Sequence, residues 1–482
     1  MPHSKVLPVR ARDGLATRGS GDALGSRWNA AHGSAATLSA NTACGRARFH
    51  VLDQVAFCLA LAFLLSLLLP QLSSLWLRGS CPVFATWLLL TFWNGNLLSV
   101  IKRFANRFAM AGAFMAVLAI NFLLRNGPNS HQFLAGFINN AASMTIMTYY
   151  AARRPDLLPT MRWCIAVVFG LALLPSLPLM YADPWAARFL SSSTAWNQQL
   201  ARPELLLQGV GTYAQYAGIA VVMSALIASI FENSLARRLL LTVAIAAMAA
   251  STVLAMFTMA SVLLLLAVVA SAVVLPFLFQ NRYRWVAAGL AAGILAVLPI
   301  SISLLYDNYE AVQLVHDKFF RLVNGISQMG IERGDESSRA EMFLGTCETF
   351  FNYPTLGTGF DASREADDFI GGHSSLIDHW AMFGILGYAP FFLLQASFTR
   401  IAVANWTTRR NNVVAWGSAY AWATYWVASA CNPTAFSIFP YLMIFTDCHR
   451  RKAAATSAER SHWSAGRPHA INSRSLPQWV GR

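Results

Sequence analysis

Runs of about twenty predominantly apolar residues recur along this chain, and they exclude most folds at once. A helix of that length crosses the ~30 Å hydrocarbon layer of a bilayer, and inside lipid only helices or closed barrels satisfy their own backbone groups. Twelve such segments are expected, at 52–77, 81–100, 108–124, 132–151, 163–182, 211–231, 238–258, 261–279, 285–305, 374–398, 413–430 and 434–447. The last is short and carries Pro440, which suits a tilted or re-entrant segment. Composition agrees: 56% of the 482 residues are hydrophobic and 12% charged, about half the charge fraction of an average soluble domain, and mean hydropathy is +0.45. The reading is an all-α polytopic membrane protein. Its parts are a basic tail over 1–50, helices one to nine over 51–305, a loop domain over 306–373, helices ten to twelve over 374–448, and a second basic tail over 449–482.

Charge sets the expected orientation. With residues 1–50 on the cytoplasmic side, 27 of the 36 basic residues fall on that side and nine on the other, the bias that governs the orientation of membrane helices. Both termini are then cytoplasmic. The net charge of +14 is accounted for by short loops facing anionic headgroups, so no nucleic-acid partner is expected. Residues 1–50 are rich in Ala, Gly, Ser and Arg without apolar periodicity. They read as a disordered tail rather than a signal peptide. Among seven cysteines, only Cys347 lies in the large outer loop, while Cys81 and Cys431 both fall at outer helix ends.

Within the helices no Lys or Arg lies near a midplane. The polar residues there are Asn94, Asn96, Asn121, Asn139 and Asn140, which suit interhelical hydrogen bonding. A proton-coupled carrier would place carboxylates or histidines inside the bundle, and no internal repeat suggests inverted transporter halves. A medium outer loop, Asp183 to Gly211, carries Arg188, Arg202 and Glu204 and leads into Tyr213, Gln215 and Tyr216. These aromatics are either an interface belt or part of a sugar site.

The loop over 306–373 holds twelve acids between Asp307 and Asp368 against Lys318, Arg321, Arg333, Arg339 and Arg364. Residues 309–324 suit an amphipathic surface helix. Ser338-Arg339-Ala340-Glu341 has capping-box spacing, so a second helix is expected to start there and end near Asn352, ahead of Pro354. That start puts Arg339 in a first turn, where exposed N–H groups favour an anion. Gly357 and Gly359 allow a tight turn. His373 heads the next helix. Gly384, eleven residues on, is expected under His373 on one helix face with Ile377, Trp380 and Gly387 close by, and glycines there admit a closely packed helix. Asp378 and His379 fall to either side of that line. Glu365, Asp367 and Asp368 read as a solvated acidic loop, because no octahedral ligand set is visible.

The spacing His373-Ser374, nine residues, Gly384, two residues, Gly387 resembles the His-[Asn/Ser/Gln]-x9-Gly-x2-Gly signature of the O-antigen ligase and Wzy-type polysaccharide polymerase family of bacterial inner membranes. Ser338-Arg339 followed by Pro354-Thr-Leu-Gly357-Thr-Gly359-Phe360 is similar to the same family's arginine and "P-x-L-G-x-G" loop. The match covers about 50 residues. It implies metal-independent, inverting glycosyl transfer without a cofactor on the periplasmic face. The donor is a glycan on undecaprenyl diphosphate and the acceptor a hydroxyl of a lipid-linked glycan or of lipid A core. A flippase and a chain-length regulator are the implied protein partners. His373 is then the catalytic base, since an ordinary imidazole pKa of about 6.5 leaves a neutral nitrogen at neutral pH, or a phosphate ligand if protonated. Arg339 stabilises the departing diphosphate. Ser374, Asp378, Gly357, Gly359, Arg202 and Tyr213 form the implied substrate-binding set, with Gly384 and Gly387 as structural motif residues. Many members carry a Ser-Arg pair near the turn between the seventh and eighth helices. Here Met259 and Ala260 stand in its place, which leaves Arg202 or Arg188 as substitutes. The expectation is a polymerase, with a ligase as the alternative and a non-catalytic glycan or lipid transporter as the rival from another class.

Overall fold

The computed structural model describes residues 51–75, 81–93, 96–124, 130–183, 185–191, 202–278, 335–359, 374–409, 412–432 and 435–448, with single residues 292 and 370. The chain divides into a short unit, Met1–Val55, and a main unit, Ala56–Arg482. The described residues contain sixteen α-helices, one 3₁₀ helix (Pro70–Leu75) and no strand. The helices are α1 (Val51–Leu68), α2 (Cys81–Trp93), α3 (Asn96–Arg103), α4 (Ala105–Leu124), α5 (Ser130–Arg153), α6 (Leu158–Ala172), α7 (Ser176–Ala182) and α8 (Ala186–Leu190). They continue with α9 (Pro203–Leu207), α10 (Tyr213–Ile230), α11 (Leu235–Leu254), α12 (Thr258–Leu278), α13 (Asp335–Asn352), α14 (Ser375–Thr408), α15 (Val413–Cys431) and α16 (Ala435–Phe445).

Six of these are long and apolar enough to cross a membrane: α1, α4, α10, α11, α12 and α14. The pairs α2–α3 and α6–α7 are each bent at a short break, and counting each as one span gives eight. The protein is therefore a membrane-embedded helical bundle. Most sequence segments coincide with a helix to within a few residues. The expected segment over 285–305, apart from residue 292, and the amphipathic helix over 309–324 lie outside the described residues, and the expected spans over 81–100 and 163–182 are each two helices rather than one.

Helix α10 forms the centre. It is buried along most of its length and packs against α11, α12, α15 and α16. Small residues permit the close crossings. A β-carbon on Gly417 of α15 would come within 2.7 Å of the Ser224 carbonyl oxygen, and the Ser224 hydroxyl donates to the Gly417 carbonyl at 3.0 Å. One part of the core is filled by phenylalanines from four helices: Phe114 (α4), Phe137 (α5), Phe391 (α14) and Phe436 (α16). Phe114 lies 4.7–5.7 Å, centroid to centroid, from each of the other three rings. The basic end is tied by side chains reaching across helices. Arg162 donates to the carbonyls of Ile444 and Thr446 at 3.0 and 2.7 Å, and Asn405 donates to that of Asp447 at 2.9 Å.

Candidate functional site

Helix α14 carries the features that organise the site, and it is not continuous. Gly384 has φ +61° and ψ −173°, a conformation essentially confined to glycine, and the axis breaks there. Rings on either side show how sharply. Trp380 lies 5.1 Å from Tyr388 and 5.9 Å from Phe392, although an unbroken helix would separate those pairs by about 12 and 18 Å of rise. The segment 375–383 therefore folds back beside the first turns of the segment from Ile385 onward. This corrects the expected stripe: Gly384 is not a residue further along one face but the corner itself. Gly387, one turn beyond, serves helix packing as expected, since a β-carbon there would meet Val117 of α4 at 2.8 Å.

A broken helix leaves carbonyls unpaired at one new end and N–H groups at the other. The loop after α13 satisfies both. Thr358 and Gly359 N–H donate to the carbonyls of Ala381 and Met382 at 3.0 and 2.8 Å, while Ile385 and Leu386 N–H donate to those of Pro354 and Thr355 at 2.8 and 3.1 Å. Gly357 and Gly359 have φ of +70° and +73°, the turn expected of them. A β-carbon on Gly357 would lie 2.3 Å from the carbonyl carbon of Met382, and one on Gly384 would lie 2.4 Å from that of Thr355. Backbone thus meets backbone here. Two separate pieces of the sequence pattern, Pro354–Gly359 and Gly384, form one joint.

The other end of the folded-back segment is equally fixed. Ser374 is its N-cap, accepting from Ile377 N–H at 3.3 Å through its side chain, and its hydroxyl donates to the Ser429 carbonyl of α15 at 3.4 Å. The buried Asp378 carboxylate accepts from the Ser374 N–H at 2.9 Å. Ser375 donates both its N–H and its hydroxyl to the Asn432 carbonyl, at 3.0 and 2.7 Å. Asp378 and Ser374 are thus capping groups of one helix start. His373, the residue before the cap, lies outside the described residues, as do Glu365, Asp367 and Asp368. Among the described residues no group of three or more His, Cys, Asp or Glu side chains is placed to hold a metal.

Helix α13 begins at Asp335, three residues before the expected cap at Ser338, and ends at Asn352 as expected. Arg339 accordingly stands in the second turn rather than the first, because the helix runs back through the acidic Asp335-Glu336 pair, which suits an N-terminus. Its side chain lies outside the described residues. Phe350, farther along α13, reaches α14 with its ring 6.2 Å from that of Trp380.

At the turn between α11 and α12 the structure brings in a residue that sequence spacing could not assign. Arg188 of α8 donates to the Met256 carbonyl at 2.8 Å, and its guanidinium lies 5.3 Å from the Trp185 ring and 6.0 Å from that of Phe257. Burial pushes its pKa down. Met256 itself has φ +58°, so its carbonyl is re-aimed by a tight left-handed turn. Tyr213 belongs to the same cluster: its ring is 4.9 Å from Phe257 and its N–H donates to the Ser191 hydroxyl at 2.7 Å. Arg202 is engaged differently. It pairs with Glu204 at 3.0 Å and Asp183 at 3.7 Å, and the Glu204 carboxyl is held below its ordinary value by its own backbone N–H and by Arg202. A guanidinium already facing two carboxylates is a poor anion receptor, whereas Arg188 faces a carbonyl and two ring faces. Cys81 and Cys431 are both exposed free thiols. No family model matches the chain, and no curated protein matches it.

Proposed function

We propose that the protein is a polysaccharide polymerase of the O-antigen polymerase and ligase type, acting without metal or cofactor. It transfers a glycan from undecaprenyl diphosphate to a hydroxyl of a second lipid-linked glycan on the periplasmic face of a bacterial inner membrane. Twelve spans, two cytoplasmic termini and an outward loop over 306–373 complete this reading. The observation that carries it is the joint between the Pro354–Gly359 turn and Gly384. Pieces of the signature some 25 residues apart are physically one unit, as they must be if the signature describes a site rather than a coincidence of composition.

In this reaction neutral His373 takes the proton of the acceptor hydroxyl. The oxygen attacks the sugar's C1 with inversion as the bond to diphosphate breaks, and Arg339 stabilises the negative charge left on the leaving phosphate. Arg188 supplies the second cation in preference to Arg202, on the strength of their different partners. Deleting the gene and resolving surface glycans by gel tests the reading. A polymerase predicts loss of the long-chain ladder with single repeats retained on carrier lipid, and an unchanged ladder would refute both the polymerase and the ligase. The ligase reading draws support from Arg188, whose guanidinium occupies the turn where ligase-like members carry their second arginine. It predicts full-length chains stranded on the carrier.

A further inference from the structure

An open groove lies on the flank of α14, away from the break at Gly384. Ala396, Thr399, Arg400, Val403 and Thr407 repeat at helical spacing along one face and, with Trp426 of α15, line this groove of 510 Å³. The lining is mostly apolar, and the Thr407 hydroxyl is turned onto the Ala404 carbonyl at 3.0 Å. Trp426 donates its indole N–H to the Thr399 hydroxyl at 2.9 Å, and Arg400 supplies a cation with no acidic residue among the lining. Counting from the break at Gly384, Arg400 sits about 24 Å along the span. With Gly384 taken as one edge of a ~30 Å hydrocarbon layer, Arg400 comes within one arginine length of the other edge. This is the end of the bundle where Arg107 stacks over Phe398 and Asn405 holds Asp447.

We propose that this groove binds one two-chain anionic phospholipid, with an acyl chain against Ala396, Val403 and Trp426 and the headgroup phosphate on Arg400. Charge complementarity selects this occupant. Among the described residues no acidic side chain pairs with Arg400, and a phosphodiester at the interface satisfies a guanidinium that an apolar partner helix would leave without a counter-charge.

The test uses the full chain purified in neutral detergent and titrated with phosphatidylglycerol or phosphatidylcholine, with bound lipid counted by native mass spectrometry. The expected result is preferential retention of phosphatidylglycerol, about fivefold weaker in Arg400→Gln, with phosphatidylcholine binding unchanged by that substitution. Ala404→Trp, which fills the groove from an exposed position on the same wall, should remove the retained lipid while leaving Arg400 in place. Equal binding of the two lipids by the wild type, or phosphatidylglycerol binding indifferent to both substitutions, overturns the proposal.

Discussion

Gly357 packs on the backbone of Met382, and Gly384 on that of Thr355, so closely that neither position admits a side chain. Each has a positive φ, and a β-carbon on either would stand within 2.4 Å of backbone atoms of the opposing segment. The two residues lock the break in α14 to the loop that closes it, so the geometry of the site depends on both.

Gly384→Ala and Gly357→Ala are therefore expected to cost on the order of 2–6 kcal/mol each, from strain at a glycine-only conformation and from overpacking. The readout is thermal unfolding of the detergent-solubilised protein, with loss of the long-chain glycan in cells. Because both act on one joint, the double substitution should cost clearly less than the sum of the singles. Gly112→Ala and Gly136→Ala are the controls: a β-carbon there meets nothing within 4 Å, and both should be neutral or slightly stabilising.

The N-cap of the folded-back segment gives a second prediction. Asp378→Ala removes the acceptor of the Ser374 N–H and leaves a buried donor, a loss of about 1–3 kcal/mol. Asp378→Asn keeps a side-chain oxygen and should lose less than half of that. If the two variants unfold at the same temperature, the capping role assigned to Asp378 is wrong.

Where sequence was enough and where it was not follows from what each signal measures. Apolar runs reported the helices well, because hydrophobic length is what makes a span. The bend did not show, because helical-wheel counting assumes a continuous axis and glycine alone does not announce its φ. Pro390 looks the stronger breaker, yet the chain stays helical through it. It falls early in the second segment, where only the Leu386 carbonyl loses its donor. Ser338 looked like a cap from its spacing to Glu341, but the acids at 335 and 336 extend the helix backwards. Arg188 was visible only as a charge in a loop, since its partner Met256 is 68 residues away.

Thiol chemistry checks burial and orientation together. Cys448 is fully buried, and burial pushes its thiol up to about 11, so it stays protonated and inert toward maleimide at pH 7.5 until the protein is unfolded. Cys81 and Cys431 are exposed. In the proposed orientation both stand at the outer ends of their helices, so a membrane-impermeant maleimide added to intact spheroplasts is expected to label them and not Cys448. Labelling of Cys81 and Cys431 only after lysis would invert the proposed orientation.

Arg188 and Arg202 can be separated by kinetics. Arg188→Ala removes a desolvated guanidinium that faces a carbonyl and aromatic rings, and in the proposed reaction it should raise KM for the diphosphate donor and lower kcat/KM by about 10- to 100-fold. Arg188→Lys should recover little, because a point charge cannot hold the Met256 carbonyl and a phosphate as a planar fork does. Arg202→Ala breaks only exposed, solvent-screened pairs with Asp183 and Glu204, and should leave donor KM within about twofold. Equal kinetic losses from Arg188→Ala and Arg202→Ala would mean that the pairing of Arg202 does not keep it from substrate, and the choice between them would fall.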